Sequence, residues 1–191
     1  MLWQTESAMK AHAVSGLLAL ALLALAGCGN RDQTSREEFQ KQVLEVLRGD
    51  PLQDTGLGQM LSETVGDLEC EGSNCTSVLY FQFLEERADE RRAIVRDYEG
   101  RLCNNSKLPP PKSVQDQYNT LCSQLNAFFK SLDAIRTNAA TASRLLGPPG
   151  QSSQASDSLL QEFANRLARG KQDILQIHDK LRELDWLRPI L

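Results

Sequence analysis

The chain has 191 residues, a formal net charge of -4 from 21 basic and 25 acidic side chains, and only 6% aromatic residues. Charges of both signs are interspersed, so no basic face for nucleic acid stands out. The length suits one domain with a real core, and the abundance of Leu, Ala, Gln, Glu and Arg favours helix over sheet.

The first element in chain order is an export signal. Lys10 supplies a positive start, Leu17 through Ala26 form a continuous apolar run, and small residues lead to Cys28. The run is too short to span a bilayer, which needs about 20 apolar residues. Glu6, in the polar segment ahead of Lys10, is foreign to the front of a signal and points to Met9 as the true start.

The stretch Leu25-Ala26-Gly27-Cys28 resembles the lipobox of bacterial lipoproteins. The resemblance implies that residues 1–27 are a signal peptide and that Cys28 becomes the first mature residue. It would carry a diacylglyceryl thioether and an amide-linked acyl chain of the palmitate kind. Two or more chains hold a protein stably where one is marginal. In such lipoproteins an aspartate after the cysteine favours the inner membrane; here that residue is Gly29. The resemblance therefore implies the periplasmic face of the outer membrane. Residues 28–35 then read as a polar tether and 36–191 as a single helical domain, with no later run apolar enough to cross a membrane.

Ser35-Arg36-Glu37-Glu38 forms a capping box opening a helix with Phe39, Val43, Leu44 and Leu47 inward, closed by Gly49-Asp50-Pro51. Leu57, Met60, Leu61, Val65 and Leu68 mark a second short amphipathic helix reaching Cys70. Both are expected to pack against one end or side of the longer helices downstream.

Three longer stripes then repeat every 3.5 residues, the period of a helix packed along its length against other helices. The first is Phe81, Leu84, Ala88, Arg91, Val95, Tyr98 and Leu102. The second runs through Val114, Tyr118, Leu121, Leu125, Phe128, Leu132, Ile135, Ala139, Ala142 and Leu146, with Ser113 and Asp116 placed to cap its start and Gly147 to end it. The third is Leu160, Phe163, Leu167, Gly170, Ile174, Ile177, Leu181 and Leu184. Short linkers, one holding Pro109-Pro110-Pro111 and one rich in Gly, Pro, Ser and Gln, make the economical fold an all-α, antiparallel three-helix bundle. Stripes this long are of coiled-coil type and would also suit a homo-oligomer.

With Cys28 set aside, Cys70, Cys75, Cys103 and Cys122 read as a disulfide framework in an exported protein. Their spacing lacks the CxxC pairs usual in structural zinc sites, so no metal is expected. A helix over 77–102 would hold Cys75 and Cys103 roughly 40 Å apart at 1.5 Å per residue, whereas a disulfide needs Cα atoms within about 7 Å. Geometry therefore predicts Cys70–Cys75 and Cys103–Cys122, the latter clamping the hairpin around the proline linker.

Catalytic signatures are missing from the sequence. His178 is the only histidine once the signal is removed, and it reads as a surface or groove residue. Carboxylates such as Glu85, Glu86, Asp89 and Glu90 alternate with Arg87, Arg91 and Arg92, which describes a solvated, ion-paired helix face rather than an acid–base site. No cofactor is implied. Three features could mark partner surfaces: Arg91 and Gly170, each within an apolar stripe, and the terminal Trp186, Leu187, Ile190 and Leu191. The simpler readings are that Arg91 snorkels to the bundle edge, that the tail docks on the bundle end, and that Gly170 is a packing glycine rather than a kink. The expected function is a non-enzymatic, membrane-tethered scaffold, adaptor or protein-binding module for another envelope protein. The alternatives are a pilotin-like chaperone or an inhibitor or immunity protein, with an apolar groove between helices, and then an envelope enzyme.

Overall fold

The computed structural model describes residues 35–49, 56–70, 76–104, 109–147 and 157–191. Cys28 and the lipobox-like stretch before it, residues 29–34 of the expected tether, and Cys75 lie outside the described residues, whereas residue 35, expected in the tether, is already helical. Every regular element among the described residues is helical. Helix α1 covers 35–47, α2 Leu57–Asp67, α3 Val78–Leu102, α4 Gln115–Leu146 and α5 Asp157–Arg182, with short 3-10 turns at Lys112–Val114 and Asp185–Ile190.

The boundaries follow local chemistry. Ser77 caps α3 by accepting a hydrogen bond from the Tyr80 amide at 3.2 Å, which satisfies one of the free donors of the first turn. Gly147 ends α4 with φ 72°, a conformation a side chain would oppose. The start of α4 differs from the expected capping by Ser113. After Pro111 the chain forms the turn Lys112–Val114, so Ser113 lies inside that turn and Val114 is the N-cap, without a side-chain hydrogen bond. Asp116 in the first turn still places a negative charge at the positive end of the helix dipole.

Helices α3, α4 and α5 form the antiparallel bundle. Four cross-links join α3 to α4 in one register: Cys103 to Cys122, Glu99 to Asn126, Arg92 to Asp133 and Asp89 to Arg136. The heptad stripes supply the core between them. All seven stripe positions of α3 are buried, and α4 buries Leu121, Leu125, Phe128, Leu132, Ile135, Ala139 and Ala142. From α5 come Phe163, Leu167, Ile174, Ile177 and Leu181. Gly170 lies inside an unbroken α5, and a Cβ there would stand 3.1 Å from Ile135 Cγ1. It is a close-packing glycine.

Two ends can be distinguished. The hairpin end holds Leu102, the Cys103–Cys122 disulfide and Val114; the far end holds Phe81 and Phe163, whose rings meet edge to face at 6.3 Å. Helix α1 sits at the hairpin end, where Phe39 meets Tyr118 edge on at 5.8 Å. Helix α2 lies along the bundle rather than at its end. It packs against α5 and α3, and its direction is opposite to α5: Gly58 is beside Ile190 and Leu191, and Glu69 pairs with Lys171. A fourth helix thus lies along α5 and α3, its C-terminal end reaching Tyr80 in the first turn of α3.

Candidate functional site

The residues that could carry function fall in three places: the seat of α2, the docked C-terminus and the outer grooves of α4. The seat of α2 is the most ordered chemically. An eleven-residue helix is marginal alone, and α2 carries no side-chain N-cap, no acidic residue in its first turn and no basic residue in its last. Beyond its own Leu68 cap, its C-terminal end is met by side chains of α3. At its C-terminus, Arg91 of α3 places Nη1 2.6 Å from Asp67 Oδ2 and donates from Nη2 to Glu63 Oε2 at 3.3 Å. A cation here also complements the negative end of the α2 dipole. The Tyr80 hydroxyl donates to the Asp67 carbonyl at 3.1 Å, taking up one of the acceptors a helix leaves free in its last turn.

Arg91 is only 5% exposed, so it does not snorkel to the bundle edge. The carboxylates come to it from α2, and the guanidinium stays inside. Its position among an apolar stripe is explained by an internal ion pair, and its charge is taken up within the fold. Burial, followed by the negative charge of Asp67, pushes the Tyr80 phenol above the usual value of 10.0. Tyr118 is likewise raised by burial, and its hydroxyl donates to the Leu102 carbonyl at 2.6 Å, closing the last turn of α3.

The C-terminal residues are docked on the bundle. Leu187 is fully buried, while Trp186, Ile190 and Leu191 are half-buried against the core. The Asp185–Ile190 turn brings the last residues over the first turn of α2. A Cβ on Gly58 would lie 2.1 Å from the Ile190 carbonyl oxygen and 2.8 Å from Leu191 Cα. Only the missing side chain permits that approach.

The disulfide Cys103–Cys122 is formed, with Cα atoms 5.7 Å apart. Cys70 is also disulfide-bonded; its expected partner Cys75 lies outside the described residues. His178 is half-buried on α5, with Nδ1 3.9 Å from Asp179 Oδ1. Among the described residues no cluster of His, Cys, Asp or Glu could hold a metal ion, and no helix is long and apolar enough to cross a membrane.

An open groove of about 560 Å³ runs between α4 and α5, lined by Gln124, Ala127, Ser131, Asp173, Gln176, Ile177, Asp179, Lys180 and Glu183. Polar side chains alternate along it with Ala127 and Ile177, and apolar atoms supply most of its lining. On the α3 side of α4, Arg92 and Arg96 stack over Phe129 at 5.1 and 6.0 Å.

Sequence reasoning missed Glu63, Asp67 and Gly58. An arginine on an apolar stripe calls for a carboxylate, but 25 acidic residues offered themselves and no pattern selected these two. Comparison with protein-family models, curated protein sequences and solved structures finds no match to this chain.

Proposed function

We propose that this chain is a non-enzymatic lipoprotein of the bacterial envelope. Acylated Cys28 holds it to the periplasmic face of the outer membrane, and its helical bundle serves as a scaffold or adaptor for another envelope protein. The observation that carries this reading is the lipobox Leu25-Ala26-Gly27-Cys28 standing just ahead of a close-packed bundle. The internal use of Arg91, Tyr80 and Tyr118 supports it, since these polar groups serve helix ends.

The test is metabolic labelling of cells with an alkyne palmitate, followed by membrane fractionation and crosslinking, for wild type and Cys28→Ser. Label and membrane retention lost together in Cys28→Ser are the expected result. A variant with the same membrane fraction and the same crosslinks would overturn the anchoring reading. The groove between α4 and α5 favours a second reading, a chaperone or inhibitor of an envelope protein. Its three carboxylates and one lysine, set in a mostly apolar lining, suit a partner segment that carries both apolar and basic side chains.

A further inference from the structure

We infer that the bundle meets the anchoring bilayer by its hairpin end, with the lipid headgroup layer as the surface it faces, and that its far end is directed away. This rests on the reading of Cys28 as the lipidated residue and adds a direction to it. Residues 29–34 are all that separate Cys28 from residue 35, the first described residue of α1. A stretch of that length reaches at most about 25 Å when fully extended.

The place where it joins the fold is fixed by Phe39, one turn into α1, whose ring lies against Tyr118 in the first turns of α4. Tyr118 in turn donates to Leu102 at the last turn of α3. The chain therefore leaves the bundle at the hairpin end. The 32 residues of α4 then place the far end about 48 Å further along at 1.5 Å per residue. The hairpin end is confined within the tether's reach of the headgroups, whereas the far end can stand well beyond it.

Surface chemistry agrees with this direction. Leu79, Phe83 and Leu145, exposed by 65, 42 and 44%, all lie at the far end: the first two in the opening turns of α3, the third in the last turn of α4. The exposed residues of the hairpin end include Arg36, Glu38, Lys112 and Ser113, which suit a hydrated headgroup layer. A net acidic chain is also repelled by anionic lipid, which opposes the bundle lying flat.

The test uses the full mature protein, purified from membranes and reconstituted into vesicles of phosphatidylethanolamine and phosphatidylglycerol with an acceptor dye on the headgroups. A donor dye is attached through an azide-bearing amino acid at Lys112 or at Arg144, both exposed, and the mass of the N-terminal peptide reports acylation. Energy transfer at Lys112 at least about twofold that at Arg144 is expected from the two lengths. Acylated protein with equal transfer at both positions, or more at Arg144, would overturn the orientation while leaving the lipid anchor in place. An N-terminal peptide without acyl mass would overturn the anchoring reading and the orientation with it.

Discussion

Arg91 Nη1 lies 2.6 Å from Asp67 Oδ2, joining the middle of α3 to the last turn of α2 inside the fold. The arginine side chain is 6% exposed, its partners Asp67 and Glu63 19 and 35%. Removing one member of a buried pair is strongly destabilising, but partners with access to water recover part of that cost. Arg91→Met is expected to lower stability by about 2–3 kcal/mol, the discounted end of the buried-pair range. Adding Asp67→Leu should regain roughly half of the loss, because an apolar replacement of both partners is close to neutral. Urea unfolding followed by circular dichroism measures both; additive losses would contradict the pairing.

Gly58 makes the opposite kind of contact, through an absent side chain. Gly58→Ala drives a Cβ into the backbone of Ile190 and Leu191, and overpacking of this kind costs about 1–3 kcal/mol. Hydrogen exchange should show lost protection at Leu187 and Leu191 in this variant. Deleting Ile190 and Leu191 in the Gly58→Ala background should add little further loss, since the clash goes with them.

Gly66 and Gly100 lie in helices with no neighbouring atom within 4 Å of where a methyl would stand, and both are exposed. Gly66→Ala and Gly100→Ala should each raise stability by about 0.5–1 kcal/mol, the difference in helix propensity. A thermal melt of the two single variants and the double variant checks size and additivity.

The Cys103–Cys122 disulfide closes a sequence separation of 19 residues. A loop of that size is stabilised by about 3 kcal/mol, mainly through the unfolded chain. The double variant Cys103→Ser with Cys122→Ser should lose that amount in urea unfolding while keeping its helical spectrum, since Tyr118 still bonds Leu102.

Alkaline pH acts through Tyr80 and Tyr118. Both phenols are raised above 10.0 in the folded state by burial, so folding favours the protonated form. Their stabilisation is complete below the unfolded value near 10 and is lost as pH rises through the higher folded values. Tyrosinate absorbance should therefore titrate later in the folded than in the unfolded protein. Tyr80→Phe should reduce the loss of stability at high pH, because it leaves one phenol fewer to ionise.

The parts legible in the sequence are those governed by periodicity and length. The stripes on α3, α4 and α5 place the core because a buried helix face repeats regardless of what it packs against. Cys103–Cys122 follows from helix length and the antiparallel return after the proline linker. The seat of α2 was not legible: Glu63 and Asp67 flank an apolar stripe much as surface carboxylates do, and only the approach of α3 makes them partners of Arg91. Thr64 is buried on the same face and donates to the Met60 carbonyl at 2.7 Å, so a polar residue occupies a core position without breaking the helix. Ser113 failed as a cap because the turn after Pro111 absorbed it. Gly58 looked like an ordinary weak helix position because its neighbour comes from the opposite end of the chain.

That neighbour sets an order of events in folding. Helices α3, α4 and α5 contact one another through hairpins, so they can associate as soon as each pair is available. No side chain caps the start of α2; the partners of the helix and of the residues just after it include Lys171, 102 residues beyond Glu69, and Ile190 and Leu191. Loop closure over such a span comes late, after the hairpins have formed. The seating of α2 against Ile190 and Leu191 is thus a late step of assembly, after the hairpins of α3, α4 and α5 have formed.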